Sequence, residues 1–162
     1  MSAPAIRAAT GADRAFLTDM LAEAANWHSG RALTCAEILA NPALAHYVDG
    51  WPGPAEAGVI AERGATRLGA AWYRFLPPGD PGYGFVAADI PELTIGVVPD
   101  HRHRGIGRHL LRALIDTARQ AGLRHLSLSV ERANHAQALY RELGFTVIAS
   151  STGADTMLLA LT

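Results

Sequence analysis

The sequence predicts a mixed α/β fold, or α+β in the stricter usage, whose sheet is not wholly parallel. Three observations carry this. Several short runs alternate apolar and polar residues with period two, as half-buried strands do. Stretches between them place apolar residues three and four apart, as amphipathic helices do. Two pairs of runs are joined by tight turns, at Arg63-Gly64-Ala65 and Ser151-Thr152-Gly153-Ala154, and hairpins make their strands antiparallel.

The length of 162 residues suits one domain over residues 1–162 with a full core. Hydrophobic residues make up 49% and charged residues 18%, an ordinary globular balance. The net charge of −1 gives no bulk attraction for nucleic acid or an anionic membrane, so neither partner is expected. The fourteen basic residues are all arginine. A single cysteine, Cys35, cannot form an intrachain disulfide, fits a reducing compartment, and is expected to be a small buried hydrophobe. No run approaches the roughly eighteen apolar residues of a membrane span, and no apolar leader core follows Arg7. A soluble, cytoplasmic protein without a metal is expected.

Taken in order, residues 5–9 form a first strand. Thr10 can cap the next helix, with Asp13 completing a capping box. Phe16, Leu17, Met20, Leu21 and Ala24 recur at helical spacing as a core stripe, ending near Asn26. Trp27-His28-Ser29-Gly30 is a turn. Thr34 caps a second helix through Glu37, Ile38 and Leu39, stopped near Asn41-Pro42, and a further helical piece covers residues 44–48. Gly50-Trp51-Pro52-Gly53-Pro54 is a loop. Trp27, Tyr47 and Trp51 thus fall in or beside loops, where an aromatic ring either packs loop on core or meets a ligand.

Residues 58–63 and 66–75 are two strands. The proline- and glycine-rich residues 76–82 break structure, and Tyr83-Gly84-Phe85 and Asp89-Ile90-Pro91 lead into the next strand, well placed to wall or cover a site. In residues 92–97, Leu93, Ile95 and Val97 alternate with Thr94 and Gly96, and Pro99 with Asp100 ends the strand. Residues 105–121 are a helix with Ile106, Leu110, Leu114, Ala118 and Ala121 on one side, widened by Leu111 and Ile115 and closed by Gly122. Residues 125–130 are a strand, 133–143 a helix closed by Gly144, and 146–150 and 157–161 two last strands.

The junction near residue 100 is a strand, a basic glycine-containing turn and a helix. It aims free backbone N–H groups and a helix dipole at one point, which suits an anion. Arg102-His103-Arg104-Gly105-Ile106-Gly107 reads R-x-x-G-x-G. A phosphate loop would continue with Lys-Ser or Lys-Thr, and none follows. A dinucleotide fingerprint would carry a third glycine where Leu110 stands. Taken alone, the six residues also fit an ordinary helix start with solvated arginines. Further on come Asn134 and then Ala136-Gln137-Ala138-Leu139-Tyr140-Arg141-Glu142-Leu143-Gly144-Phe145.

Together these segments resemble the GNAT superfamily of acyl-CoA-dependent N-acetyltransferases. R-x-x-G-x-G looks like its pyrophosphate loop, and the Asn134-to-Phe145 stretch looks like its Asn, Leu-Tyr and Gly-Phe signature. Residues 92–145 carry the resemblance, and the N-terminal part shares the layout. It implies a twisted, mixed, mostly antiparallel sheet of about six to seven strands, splayed between the fourth and fifth and flanked by about four helices. Acetyl-CoA (coenzyme A) would lie in the gap. Backbone N–H groups of Arg104, Gly105, Ile106 and Gly107 would hold its pyrophosphate, with Arg102 and Arg108 assisting and His103 in the same turn. Val97 and Val98 would offer backbone groups to the pantetheine arm; Tyr140 would lie beside it, and Asn134 would contact the arm or orient the helix that carries Tyr140.

The reaction so implied needs two proton steps. An amine with a pKa near about 10.4 must lose a proton before it attacks, and the leaving thiolate benefits from gaining one. The resemblance makes Tyr140 the general acid; a tyrosine packed on the sheet is the other reading. Glu92, on the face of Thr94 and Gly96, is the candidate base, acting directly or through water, with Asp89 in reserve; a solvated strand-end glutamate is the alternative. Trp27, His28, Trp51, Tyr83 and Phe85 suggest an aromatic-walled pocket, and Asp89 and Glu92 can attract a cation. A small-molecule or peptide amine would fit. A non-catalytic acyl-CoA sensor and a nucleotide-binding module are the competing classes. Many members of the superfamily dimerise, and a homodimer stays open.

Overall fold

The computed structural model describes residues 4–27 and 32–161. Its first strand, β1 (Ala5–Ala8), leads into a 3-10 turn over Gly11–Asp13 and then α1 (Arg14–Ala25). The capping box is formed: the Thr10 hydroxyl accepts from Ala12 N–H, and Asp13 accepts from Thr10 N–H at 2.8 Å. Arg7 adds two bonds of 2.9 Å to the Asp13 carboxylate, which holds its pKa down to about 2 despite burial.

Thr34 caps α2 (Cys35–Ala40) in a second capping box with Glu37. Cys35, expected inside, is half-buried there, its Sγ 3.3 Å from Asp19 Oδ1. Asn41-Pro42 stops α2 as expected, but the same pair also starts α3 (Pro42–Ala45). Asn41 Oδ1 accepts from Ala43 N–H at 3.1 Å, and Pro42 takes the first helical position, where a missing N–H costs nothing. The helical piece expected at residues 44–48 therefore lies closer to the N-terminus.

The remaining strands are β2 (Ala57–Arg63), β3 (Thr66–Arg74), β4 (Glu92–Val97), β5 (His125–Glu131), β6 (Thr146–Ser151) and β7 (Ala154–Ala160). With β1 they form a seven-stranded sheet in the order β1-β2-β3-β4-β5-β7-β6. Every neighbouring pair is antiparallel except β4 with β5. The last hairpin pairs Ser151 with Ala154, so β7 begins three residues earlier than its hydrophobic alternation suggests.

Two cores lie on the two faces. On one, Ile60, Ala70 and Trp72 pack against Leu17, Met20 and Leu21 of α1 and Ile38 of α2. Gly96 lets α1 approach β4, since a Cβ there would collide with the Met20 carbonyl. On the other face, Ala71, Tyr73, Leu93, Leu126 and Leu128 meet α4 (Ile106–Gln120) and α5 (Ala136–Glu142). The stripe read from the sequence is the buried side of α4 from Ile106 to Ala118, with Leu110, Leu111 and Leu114 fully inside; Ala121 caps the helix end and is exposed. Each such leucine contributes about 2 kcal/mol. Helix α5 starts later than expected, because Asn134 Oδ1 takes the Ala136 N–H at 2.9 Å and holds the preceding chain in a turn.

The parallel ladder between β4 and β5 consists of one residue pair, Glu92 with Ser127, and the strands part beyond it. The splay implied by the resemblance is therefore present. Among the described residues, no helix is long and apolar enough to cross a membrane.

Candidate active site

Where β4 and β5 part, backbone groups are left without partners. Ser127 N–H donates to Pro91 C=O at 3.0 Å, and Val98 N–H donates to Leu68 C=O beside β3 at 2.9 Å. Backbone groups alternate in direction along a strand. Odd-numbered residues of β4 therefore have their backbone N–H groups toward β5, and beyond the single pair no strand among the described residues meets the N–H groups of Ile95 and Val97. The Val97 carbonyl accepts from Arg102 Nε at 3.2 Å. Val98 differs from its neighbours in its N–H, which is held by Leu68 and is not left for a ligand arm; its C=O accepts from His101 N–H at 2.9 Å and keeps a second lone pair.

The turn after β4 closes this gap at one end. His103 and Gly105 both have positive φ, +62° and +82°. The first helical bond runs from His109 N–H to Gly105 C=O at 3.1 Å. The N–H groups of Arg104, Gly105, Ile106 and Gly107 donate to no acceptor among the described residues, and with the helix dipole they form an anion cradle. Arg102 and Arg108 brace this cradle rather than stand free. Arg102 reaches Glu23 at 3.1 Å, and Arg108 pairs with Glu142. His103 and Arg104 are exposed. Asn134 spends its side-chain carbonyl on Ala136 N–H.

Glu92 and Tyr140 stand on opposite faces of the sheet beside the gap. Glu92 is 5% exposed, so it is not a solvated strand-end residue. Its Oε2 accepts from Tyr47 Oη at 2.7 Å and from Gly84 N–H at 3.1 Å, while Oε1 has no partner. Burial pushes its pKa up to about 7, with the two hydrogen bonds pulling the other way. Tyr140 is 7% exposed on α5, edge-on to Phe145 with ring centroids 6.0 Å apart. Burial raises its phenol to about 12, so it stays protonated at neutral pH.

The expected acceptor residues do not all come together. Trp27 donates its indole N–H to Glu131 at the end of β5. Tyr83 is exposed and Phe85 half-buried in the segment that crosses Glu92 and Ser127 near the start of β5. Ser127 and Glu131 share a face of β5 by alternation, about 13 Å apart at 3.3 Å per residue. Trp51 is a core residue, 5% exposed, donating to Thr10 C=O at 3.2 Å with Arg74 over its ring. It is withdrawn from the pocket because its ring fills the core beside α1. Asp89 is exposed, and His28 lies outside the described residues. Sequence reasoning missed Tyr47, Gly84 and Ser127 as neighbours of Glu92. The one available signal was the Gly82-Tyr83-Gly84 triplet, two positions without a Cβ in a segment otherwise broken by prolines.

The parted strands β4 and β5 end in an anion cradle at the start of α4, with a titratable group on either face of the sheet. Residues 20–145 match the model of the Acetyltransferase (GNAT) family, and the chain belongs to that family. It is an acetyltransferase whose donor is acetyl-CoA. It is 36% identical over 148 residues to streptothricin acetyltransferase of Streptomyces lavendulae, covering 83% of this chain and 73% of that protein. A stretch of 52 residues is 50% identical to N-alpha-acetyltransferase RimI of Mycobacterium tuberculosis, 32% of each chain. The structure of YncA from Salmonella typhimurium with its cofactor acetyl-CoA is 26% identical, with a TM-score of 0.72 over 99% of this chain and 95% of that one. The residues present fit acetyl-CoA: unpaired N–H groups suit its pyrophosphate, and the open edge of β4 suits its amide-bearing arm.

Proposed function

We propose that the chain, read as one domain, acetylates a primary amine of a small-molecule or peptide acceptor by direct attack while donor and acceptor are both bound. The observation that carries this reading is the one-pair contact between β4 and β5, beyond which the strands part, with Glu92 on one face of the sheet and Tyr140 of α5 on the other. Acetyl-CoA, when bound, supplies an activated thioester carbonyl. The N–H groups of residues 104–107 would hold its pyrophosphate, and those of Ile95 and Val97 lie along its path. A strand N–H there is a donor for negative charge developing on the carbonyl oxygen. Glu92, held near neutrality by burial, takes the proton of the ammonium directly or through water, with Oε1 its unpartnered oxygen. Tyr140 holds a proton for the departing sulfur.

The relatives' names span an antibiotic and, for RimI, an N-alpha position. Trp27 at one end of β5 and Tyr83 with Phe85 at the other frame the face an acceptor would approach. A single cysteine suits a reducing cytoplasm. The test is thiol release from acetyl-CoA across a panel of amines, amino acids, aminoglycosides and N-terminal peptides. Release with at least one acceptor is expected; tight binding of acetyl-CoA without turnover on any member of the panel overturns the reading.

A further inference from the structure

Tyr47 follows α3 and is 5% exposed. Its ring packs edge-on against His46 with centroids 4.6 Å apart, and its carbonyl accepts from the Trp72 indole N–H at 2.9 Å. The hydroxyl meets two elements at once. It lies 2.7 Å from Glu92 Oε2 on β4 and 2.9 Å from the Tyr83 N–H in the loop before it. Chemistry fixes the direction of both bonds. An amide N–H only donates, so the Tyr83 bond uses a lone pair of the phenol, and the one phenolic proton goes to Glu92.

The loop is seated by the same group. Gly84 donates its N–H to Glu92 Oε2 at 3.1 Å, and its carbonyl accepts from the fully buried Ser127 hydroxyl at 2.8 Å. Only glycine fits there, since a Cβ would stand 2.5 Å from the Leu128 carbonyl carbon. Oε2 thus accepts two bonds, which leaves Oε1 as the oxygen that gains and loses the proton.

No charged side chain competes for Glu92 among the described residues. Arg74 is its cross-strand neighbour, but that guanidinium turns to Glu56 at 2.9 Å and to the His46 carbonyl at 3.1 Å. His46 Nδ1 is 3.0 Å from Asp80, and Asp89 is exposed. Ser127, the neighbour on β5, is neutral.

We propose that Tyr47 is a positioning residue for the acetyl transfer: its hydroxyl fixes the Glu92 carboxylate and seats the backbone of residues 83–84 on it. The inference rests on the reading of Glu92 as the base. A bond donated to a carboxylate favours the ionised form. Removing it delays ionisation to higher pH and leaves the Tyr83 N–H without an acceptor.

Tyr47→Phe keeps the ring and removes only the oxygen. Two readouts are needed in the full chain: the pH profile of kcat/KM, and a carbon-13 titration of the Glu92 carboxyl. Both should move upward by about one to two pH units, the worth of a hydrogen bond to a charged group. Acetyl-CoA affinity should not change. An unmoved or downward shift in both readouts overturns the positioning role. Glu92→Gln, measured alongside, should abolish the acidic limb. If it keeps the wild-type profile, the base reading fails, and the carbon-13 titration still decides whether Tyr47 holds the carboxylate. Should Tyr47→Phe not fold, the wild-type Tyr47 hydroxyl proton decides instead. It should exchange slowly and shift as Glu92 ionises; a freely exchanging proton overturns the proposal.

Discussion

Tyr140 can be isolated chemically, because its ring and its hydroxyl serve different ends. The ring packs in the α4–α5 core against Phe145. Burial accounts for the raised phenol, with no hydrogen bond offsetting it. Tyr140→Phe therefore keeps the packing and leaves no buried partner unpaired, so its melting temperature should stay at or slightly above wild type. Loss of a general acid should lower kcat by at least about a hundredfold, with acetyl-CoA affinity unchanged. Steady-state kinetics and calorimetry on the same preparation check both halves, and wild-type turnover would remove the acid role. At this scale the sequence is informative where a residue lies within a local motif. Tyr140 sits within a run of matching residues, and the glycines of the turn mark themselves by type. Tyr47 is different: its bond to Glu92 joins residues 45 apart in the chain. No periodicity links such a pair, so only the fold can bring them together.

The start of α4 shows what an element carries that a residue does not. Gly105 has a conformational reason to be glycine, with φ at +82°. Gly107 lies inside the helix without such a need. A Cβ there would meet Leu139 Cδ2 at 3.8 Å and Ile95 Cδ1 at 3.9 Å, ordinary contacts. Glycine in a helix is less stable than alanine by up to about 1 kcal/mol. The chain thus keeps a costly glycine facing the space among α4, α5 and β4, where the proposed donor site lies. Gly107→Ala should raise the melting temperature by about 2 °C while weakening acetyl-CoA binding about tenfold or more. Titration calorimetry would sink the assignment if affinity is unchanged. Elements were legible to the extent that side-chain patterns define them. The α4 stripe and the β4 alternation give the buried faces directly. Asn41-Pro42 misled because one pair of residues satisfies both a helix stop and a helix start. At Val98, alternation fixes which face the side chain takes, not that its N–H is already paired with Leu68 beside β3.

For the molecule as a whole, the site leaves a mark on stability that pH should reveal. Glu92 ionises near about 7 when folded and near 4.5 by its ordinary value. Below 4.5 it is protonated in both states, and above 7 it is charged in both. Between these values the folded chain holds a proton that the unfolded chain has released. Stability from this group is therefore full below pH 4.5 and is lost as pH rises through 7. Asp13 acts in the opposite sense at lower pH. Its folded value near about 2, against 3.8, gives stability that is present above 3.8 and lost as pH falls toward 2. Arg7 is partly exposed, so solvent screening reduces that contribution. The two slopes leave a crest at mildly acid pH. Scanning calorimetry should find the wild type melting several degrees higher at pH 5 than at pH 7.5, equivalent to about 1–3 kcal/mol. Glu92→Gln, which cannot ionise, should lose most of that difference while keeping the fall below pH 4. A wild type whose melting temperature is flat or rising from pH 5 to 7.5, or an equal slope in Glu92→Gln, would show that the buried carboxyl is not held near neutrality. It would also remove the reason for Glu92 to serve as a base.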